Sequence, residues 1–546
     1  MTRPHVVTAA LPYANGKLHL GHLVEYIQAD IYVRARRQSG EEVYFFCAAD
    51  SHGTPIELNA RKQGIDPEDL VESARQGFLR DFADFGVSFD AFHSTHSQEN
   101  RDLSGSIYEA LKARGEVIRR NVAGLYCEPC ERFLPDRFVR GECPKCDALD
   151  QYGDNCEVCG ATYEPTDLKK PACALCGVAP VSRSSEHLFF DLPRYEDALA
   201  EWMRGALQPA VHNFVKGWLK EGLRPWDISR DGPYFGFEIP GETDKYFYVW
   251  LDAPVGYIST ARYWANETGK QDPDYLWRGD AARRTHIIGK DIVYFHSLFW
   301  PAMLMGSGWG LPDWIQVHGF LQVDGEKMSK SRGTFITARQ WADHLPSEYL
   351  RFYYACRLND EANDLNLDFE DFANTLNGEL VNKVVNLASR ALGFLNKKLD
   401  SQLSEPDASG KAMIEGNKLR LKQANQHFAD FRYSQGMRCI LAAAEEANEY
   451  LQEQAPWAVF KEDPEGARTI LSGAVGVVAQ LCVALEPVMP ELCQRLAGIL
   501  GIETHSIDAL NEPLGARKIA AFSRLAERIT PQHLEALVEA NREESS

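Results

Sequence analysis

The stretch HVVTAAL at residues 5–11 is a short apolar run that suits a buried strand. Turn-forming residues follow at 12–16, and apolar side chains then recur at helical spacing between Leu20 and Ile31. A second apolar run at 43–49 has the composition of another buried, parallel strand. Strand, helix and strand in this order predict a βαβ unit, so the chain begins with an α/β domain.

Further strand-like runs lie far along the chain, at Tyr246 to Leu251, His286 to Gly289 and Ile315 to Val323. From about Glu370 onward long helical patterns replace them. This order predicts an α/β sheet that is interrupted by an insertion and followed by a helical bundle. The predicted parts are a first half of the α/β domain at 1–117, an insertion at 118–240, a second half of the α/β domain at 241–325, a linking segment at 326–375 and an all-α bundle at 376–546.

The composition is that of a folded protein with several domains. The chain has 546 residues, of which 45% are hydrophobic, and 58 basic against 78 acidic side chains give a net charge of −20. The uncharged stretch from Thr469 to Leu485 contains serine, glycine and glutamine and is short for a membrane span, so it predicts a buried helix of the bundle. The first residues lack the long apolar core of a signal peptide. We expect a cytoplasmic protein without a membrane segment.

Eight of the thirteen cysteines form four C-x-x-C pairs, which are Cys127/Cys130, Cys143/Cys146, Cys156/Cys159 and Cys173/Cys176. Paired cysteines at this spacing in a large cytosolic chain indicate tetrahedral zinc sites rather than disulfide bonds. Because 12, 9 and 13 residues separate successive pairs, the inner two pairs most simply form one site and the outer two pairs a second. Four thiolates close each site to water, so we predict two structural zinc ions.

The segment His19-Leu20-Gly21-His22 places two imidazoles at the predicted N-terminus of the first helix. Backbone N–H groups and the helix dipole favour an anion there, and glycine permits close approach. The pattern indicates a phosphate site, although a histidine at a helix start is often only a capping or surface residue.

A second motif, KMSKSRG at residues 327–333, follows a predicted strand and the turn Asp324-Gly325. Its cations lie among small residues, so the loop can close over a triphosphate while Lys327 and Lys330 stabilise the charge of a departing pyrophosphate. The sequence contains no G-x-x-x-x-G-K-[ST] segment, which excludes a P-loop ATPase.

These two motifs resemble the HIGH and KMSKS signatures of class I aminoacyl-tRNA synthetases, with Leu20 in place of the isoleucine of the first signature. The segments ALPYANG at 10–16, ADSHGTP at 49–55, WLDAP at 250–254 and the run from Gly289 to Trp300 are similar to the methionyl-tRNA synthetase family in particular. The resemblance implies a Rossmann-type catalytic domain of parallel sheet with a zinc-binding insertion, followed by an all-α bundle.

The resemblance also implies the activity: a methionine–tRNA ligase that forms methionyl adenylate from ATP and L-methionine and then charges the 3′ end of tRNA(Met). His19, His22, Lys327 and Lys330 are then the catalytic and ATP-binding residues, with Gly21 at the phosphates and Mg²⁺ bound to ATP. Asp50 would receive the methionine ammonium group. The implied walls of the methionine pocket, for which aromatic rings and one hydroxyl donor suit a thioether, are Leu11, Tyr13, Trp250, Ala253, Pro254, Tyr257, Ile292, His296 and Trp300.

In the helical part, Asn382, Asn386 and Arg390 lie four residues apart on one predicted helix face. The resemblance implies that these residues and Trp457 read the anticodon, by hydrogen bonds to base edges and by stacking. A solvated helix face and a core tryptophan are the alternatives. We expect a monomer.

Two other functions remain compatible with the residues alone. One is a class I synthetase for another apolar amino acid such as leucine or valine. Those enzymes contain a large editing insertion, whereas here only about 120 residues separate the predicted sheet halves and the cysteines occupy much of that length. The other is a non-catalytic zinc-containing RNA-binding protein, against which the two intact motifs argue.

Overall fold

The computed structural model describes residues 3–153, 156, 158, 159, 161, 163, 165–327 and 335–545. The chain begins with alternating strands and helices, as predicted. These elements are β1 (His5–Ala9), α1 (Leu20–Gln38), β2 (Val43–Ala49), α2 (Thr54–Gln63), α3 (Pro67–Asp84), β3 (Ala91–Ser94) and α4 (Gln98–Ala113).

An insertion of short strands follows α4. Its elements are β4 (Val117–Cys127), β5 (Arg132–Phe133), β6 (Val139–Glu142), β7 (Gln151–Tyr152), β8 (Lys169–Cys173), β9 (Val181–Phe190), α5 (Glu196–Ala206), α6 (Pro209–Glu221), β10 (Trp226–Asp227), β11 (Ser229–Asp231) and β12 (Lys245–Phe247). Its longest strands, β4 and β9, form an antiparallel ribbon with β10 and β5 at its edges. A separate three-stranded sheet has the order β7-β6-β8.

The chain then returns to the first sheet. The elements are α7 (Val249–Asp252), α8 (Gly256–Glu267), β13 (Arg283–Gly289), a π-helical segment (Phe295–Phe299), α9 (Trp300–Ser307), β14 (Trp314–His318), β15 (Leu321–Val323), β16 (Glu326–Lys327), α10 (Ala338–His344), α11 (Ser347–Arg357) and β17 (Leu365–Leu367). The main sheet has the order β14-β13-β1-β2-β3, and all its neighbouring strands are parallel. The order reverses at β1, so ligands are expected at the carboxyl ends of β1 and β13.

The last part of the described chain is helical, which confirms the predicted all-α bundle. The elements are α12 (Phe369–Thr375), a π-helical segment (Leu376–Val385), α13 (Asn386–Lys398), α14 (Ala408–Ala429), α15 (Tyr433–Gln454), α16 (Pro456–Val459), α17 (Pro464–Leu485), α18 (Pro490–Leu500) and α19 (Pro531–Ser545). Among described residues, α17 alone is long and apolar enough to cross a membrane, and 89% of its most apolar window is buried inside the protein. A buried bundle helix explains that apolarity.

A continuous apolar core joins one face of the sheet to the bundle. It includes Leu23 and Ile27 of α1, Tyr354 of α11, Leu421 of α14 and Ile440 of α15, all of them fully buried. Since the same core serves both parts, the sheet domain and the bundle pack as one body.

A buried cation crosses this junction. The guanidinium of Arg351 on α11 pairs with the Asp30 carboxylate of α1 at 2.7 Å, and neither side chain is more than 1% exposed. The same guanidinium donates to the carbonyl of Phe85 after α3 and to those of Pro487 and Val488 between α17 and α18. One side chain therefore binds three other parts of the chain.

Two of the predicted strands are wrong in detail. The run from Tyr246 to Leu251 divides, because its start belongs to β12, which pairs with β11 outside the main sheet, and its end forms α7. Apolar runs this short suit a strand or a buried turn of helix equally. The run from Ile315 to Val323 also divides into β14 and β15, which belong to different sheets. Between β14 and β15, a Cβ on Gly319 would lie 2.1 Å from the Asn363 carbonyl oxygen. This position therefore requires glycine where the chain passes from one sheet to the other.

Candidate active site

The carboxyl end of β1 is held in place by the first helix. The backbone N–H of Ala10 donates to the Glu25 carboxylate, and the Tyr26 hydroxyl donates to the Ala10 carbonyl at 2.8 Å. Burial raises the pKa of Glu25, while a hydrogen bond with His318 at 3.3 Å opposes that shift. These bonds fix the segment that separates two cavities.

The first cavity has a volume of about 90 Å³ and lies between α7, α8 and the π-helical segment. Its lining is largely apolar and consists of Ala10, Leu11, Asp50, Trp250, Ala253, Pro254, Tyr257, Ile292, Phe295, His296, Phe299 and Trp300. Nine of the ten residues assigned to a methionine site from the sequence line it. The tenth, Tyr13, lines the neighbouring cavity. A Cβ on Gly256 would lie 2.6 Å from Leu11 Cδ2, so glycine lets α8 close this wall.

The polar groups at the base of the cavity are neutral. His296 Nδ1 lies 3.0 Å from the Ile292 carbonyl and must donate to it, so Nε2 accepts from the Tyr257 hydroxyl at 2.8 Å. Burial lowers the pKa of His296 to about 4. The Tyr257 hydroxyl therefore donates its proton to His296 in this structure. A thioether here would be held by aromatic contact and shape.

Asp50 brings the one acidic side chain to this cavity. Its Oδ1 atom is buried and has no hydrogen-bond partner among the described residues. Burial raises the pKa of Asp50 well above its usual range, and the nearby carboxylate of Asp252 raises it further. Asp252 is itself held by a hydrogen bond with His52 Nδ1. An unpaired buried carboxyl group beside an apolar cavity suits the ammonium group of an apolar amino acid.

The second cavity, of about 550 Å³, opens over the N-terminus of α1 and is lined in part by His19, Gly21 and His22. Both imidazoles cap the helix: His19 Nδ1 accepts from the Gly21 N–H at 3.1 Å, and His22 Nδ1 accepts from the His19 N–H at 3.2 Å. The rings stack with their centroids 3.6 Å apart. Burial, together with the charge of His19, lowers the pKa of His22 well below its usual value.

This arrangement determines the chemistry that the two histidines offer. Because each Nδ1 accepts a backbone hydrogen bond, neither Nδ1 carries a proton, and the ring proton of each histidine is on Nε2. His22 is therefore a neutral hydrogen-bond donor, and the positive end of the α1 dipole supplies the field that attracts an anion. The capping alternative and the phosphate-binding function are compatible, since different ring nitrogens serve them.

The two cavities share one wall, formed by Ala10, Leu11 and Ile292. Asp50 and the apolar cavity lie on one side of this wall, and the helix N-terminus lies on the other. The arrangement can hold the carboxylate of an amino acid against a nucleotide phosphate, which is the geometry that adenylate formation needs.

The predicted phosphate-binding loop is described only in part. Strand β15 pairs with β16 around a turn at Asp324, which has a φ of 50°, and Gln322 stands opposite Lys327. Lys330 lies outside the described residues. The hairpin begins at Leu321, the first residue of β15, and Leu321 also lines the second cavity.

The four C-x-x-C pairs group as predicted into an outer and an inner set of four. Within the outer set, Sγ–Sγ distances are 3.4 Å for Cys127–Cys176 and 3.9 Å for Cys130–Cys173. The inner distances are 3.8 Å for Cys143–Cys159 and 3.6 Å for Cys146–Cys156. Thiolates 2.3 Å from a tetrahedral zinc ion would lie about 3.8 Å apart, so both sets can hold a metal ion and are consistent with zinc.

The four bundle residues that the resemblance assigns to anticodon binding lie in different surroundings. The Arg390 guanidinium lies 4.8 Å from the centre of the Trp457 ring, and Trp457 is 37% exposed, so it is not a core residue. Asn382 accepts a hydrogen bond from Arg528, and Asn386 is exposed. Asn382 lies in the π-helical segment and Asn386 begins α13. These residues form a polar surface with one open aromatic ring.

Three cavity residues were absent from the predicted pocket: Ala10, Phe295 and Phe299. Ala10 directly precedes Leu11, and the two phenylalanines lie on either side of His296 in the run from Gly289 to Trp300. Their closeness in sequence to predicted pocket residues could have indicated them. The pairing of His52 with Asp252 had no comparable signal, since the two residues are 200 positions apart.

A parallel sheet with a ligand crevice at β1, a helix N-terminus capped by two histidines and a KMSKS loop together define a class I aminoacyl-tRNA synthetase. A sequence profile of class I tRNA synthetases (M) matches residues 5–392, and a profile of the anticodon binding domain of methionyl tRNA ligase matches 402–523. The methionine–tRNA ligase of Myxococcus xanthus (strain DK1622) is 51% identical over 517 residues, which cover 93% of this chain and 73% of that protein.

Solved structures agree with this assignment. Mycobacterium tuberculosis methionyl-tRNA synthetase in complex with methionyl-adenylate aligns with a TM-score of 0.78 and 26% identity, over 96% of this chain and 99% of that one. Its apo form aligns with a TM-score of 0.73 and 25% identity, over 97% and 99% of the two chains. The chain belongs to the methionyl-tRNA synthetase family, and its activity is the ATP-dependent attachment of methionine to tRNA. The two alternative functions are thereby excluded.

Proposed function

We propose that the two cavities divide the reaction between them, with methionine in the smaller one and ATP in the larger one. Asp50 would hold the ammonium group, while Tyr257, His296 and the aromatic rings around them surround the thioether. The observation that carries this assignment is the unpaired Oδ1 of Asp50 at the edge of an otherwise apolar cavity. Such a site rejects polar side chains, since they would lose hydrogen bonds to water without replacement.

In the first step a methionine carboxylate oxygen forms a bond to the α-phosphorus of ATP, and the bond from that phosphorus to the bridging oxygen of pyrophosphate breaks. The Nε2–H groups of His19 and His22 would donate to phosphate oxygens, and Lys327 and Lys330 would approach from the loop as pyrophosphate leaves. The bound ATP would bring Mg²⁺, which neutralises phosphate charge. In the second step a ribose hydroxyl at the 3′ end of tRNA(Met) attacks the methionyl carbonyl, and AMP leaves.

The metal centres and the bundle have supporting functions in this proposal. Zinc bound by the two cysteine sets would fix the strands of the insertion, where short strands share little core of their own. Trp457, Arg390, Asn386 and Asn382 would contact the unpaired bases of the anticodon. None of the thirteen cysteines is in a disulfide bond, which favours a reducing compartment such as the cytoplasm. We expect the enzyme to be a monomer, which light scattering can test.

The test is methionine-dependent ATP–pyrophosphate exchange in the wild type and in Lys330→Ala. The variant loses a cation that acts on the departing pyrophosphate, so the exchange rate should fall on the order of 10² to 10³ while the methionine Kd stays within about twofold. Lys461→Ala, an exposed lysine of the bundle, is the matched control. A Lys330→Ala variant that loses methionine affinity and yet activates at the normal rate would show that the loop is misassigned.

A further inference from the structure

Two histidines, His52 and His96, follow neighbouring strands of the main sheet. His52 comes shortly after β2 and His96 shortly after β3, and the parallel pairing of these strands brings both rings to the same edge of the sheet. Ser51 holds the two segments together, since its hydroxyl contacts that of Ser94 at 2.9 Å and its N–H donates to Thr95 at 2.9 Å. The His52 side chain is fully buried, whereas that of His96 is 29% exposed. The histidine pair therefore connects the interior of the protein to its surface.

The histidine pair lies between a buried acid and an exposed one. His52 Nδ1 is bonded to the carboxylate of Asp252, which is buried, and His52 Nε2 lies 3.0 Å from His96 Nδ1. His96 Nε2 lies 3.5 Å from Glu68 Oε1, and the Glu68 side chain is 72% exposed. Among the described residues, His52 is the only hydrogen-bond partner of the Asp252 carboxylate, because Asp252 Oδ1 has none. The negative charge of Asp252 therefore depends on this pair for compensation.

The contacts of the histidine pair require one proton more than two neutral rings hold. An ionised carboxylate only accepts hydrogen bonds, so an N–H must point to each acid, from His52 Nδ1 and from His96 Nε2. The contact between His52 Nε2 and His96 Nδ1 needs a third N–H. Since two neutral imidazoles carry one proton each, three hydrogen bonds in a row give the pair a positive charge. Burial lowers the pKa of His96 and the charge of His52 lowers it further, so the added proton is held on His52, beside Asp252.

The other titratable groups around the pair and the two acids do not supply this compensation. Arg101 on α4 faces His96 and opposes a positive charge on it. The phenols near Asp50 and Asp252 are those of Tyr13, Tyr234 and Tyr257, and burial raises the pKa of each of them, so all three are neutral.

We infer that His52 and His96 are positioning residues of the amino-acid site, which hold a proton against Asp252 and thereby offset part of its negative charge beside Asp50. Asp50 can then ionise next to a second buried acid and present its carboxylate to the ammonium group of methionine. Neither histidine lines either cavity, so the pair acts through the two acids. The inference rests on the proposed function, since it concerns the acid assigned to that ammonium group.

The test is the pH dependence of methionine binding, measured by calorimetry in His96→Leu. The variant leaves the Nε2–H of His52 without an acceptor, so His52 should give up the added proton and the pKa of Asp50 should rise. The pH below which the Kd begins to increase should move up by about one unit. Below that pH the Kd should be about tenfold weaker than in the wild type, with no change at higher pH.

Three readouts separate this role from a structural one. His96→Gln, whose amide oxygen can accept from His52, should restore the wild-type pH profile. The KM for ATP and the kcat at saturating methionine should stay at the wild-type value in both variants. The matched control is His93→Leu, which removes a histidine paired with Glu99 on the same strand and should leave the pH profile unchanged.

Two further variants complete the test. Glu68→Gln, at an exposed position where the fold tolerates change, should move the pH profile in the same direction as His96→Leu but by less. In an Asp252→Asn background His96→Leu should shift nothing, because no charge remains to be offset.

An unchanged pH profile in either His96→Leu or Glu68→Gln would overturn the inference. A loss of methionine affinity that is equal at every pH, or that persists in the Asp252→Asn background, would also overturn it, since His96 would then be only a structural support. Methionine binding at wild-type strength by Asp50→Asn would instead overturn the proposed function.

Discussion

At the scale of single residues, the proposed binding of the methionine ammonium group by Asp50 predicts that methionine binding is coupled to release of a proton. The Asp50 carboxyl group is buried beside Asp252 and has a raised pKa, but it must be ionised to pair with an ammonium group. At pH values below the pKa of Asp50 in the free enzyme, binding of methionine should therefore release a proton. In that range the Kd should rise about tenfold for each unit by which the pH is lowered. Calorimetry in buffers of different ionisation enthalpy measures this release.

Asp252→Asn provides the comparison for that prediction. The substitution keeps the burial of Asp50 and removes a neighbouring negative charge, so the pKa of Asp50 should fall and proton release should begin at lower pH. The prediction is wrong if methionine binds without proton exchange throughout the acidic range in the wild type.

Residue-level features were only partly predictable from the sequence. The quoted motifs indicated Asp50, His19 and His22, because these residues stand within short stretches that resemble a known family. The protonation of the site was not predictable, since it depends on the packing of segments far apart in the chain: burial lowers the pKa of His296, and burial together with the charge of Asp252 raises the pKa of Asp50.

At the scale of elements, the two cysteine sets should behave as separate sites. Cys130→Ser belongs to the outer set and Cys146→Ser to the inner set, so each variant should lower the zinc content from two ions to one by elemental analysis. Cys439→Ser, a cysteine of neither set, should retain both ions. A wild type without zinc under non-chelating conditions would contradict the prediction, and so would loss of both ions in either variant.

The helix that carries Trp457 allows a second prediction. Because the ring is 37% exposed and packs mainly under Arg390, Trp457→Ala should change the Tm little, the exposed cation–π contact being worth about 0.5 to 1 kcal/mol. Loss of a base stack should lower kcat/KM for tRNA by about one to two decades while pyrophosphate exchange persists. A variant that melts early and charges tRNA with normal KM would refute the anticodon assignment.

Elements with strong periodicity were predicted correctly, whereas short apolar runs were not. The cysteine spacing led to the correct grouping because chain length between pairs limits which thiols can meet. The run from Tyr246 to Leu251 was misassigned because a six-residue apolar segment lacks the length that separates helix from strand. The π-helical segments had no sequence signal, since their widened turns depend on packing against the cavity and the bundle.

At the scale of the whole molecule, Arg351 should be a determinant of stability. Arg351→Met removes one partner of a buried ion pair and leaves the Asp30 carboxylate without it, at an expected cost of about 3 to 5 kcal/mol. Thermal unfolding measures the effect. Arg524→Met is the control, because the Arg524–Glu527 pair is exposed on both sides and contributes at most about 1 kcal/mol. Equal shifts in Tm for the two variants would contradict this reading.

The junction that Arg351 crosses has a mechanical consequence. The guanidinium bonds to three other parts of the chain within a core common to sheet and bundle, and such close-packed interiors resist gradual deformation. The ring of Trp457 and the wall at Leu11 are thereby held at a fixed separation, and under the proposed function they lie near the two ends of the bound tRNA. An RNA shortened by a few base pairs between its two ends would lose contact at one of them, because bending must come from the RNA and not from the enzyme.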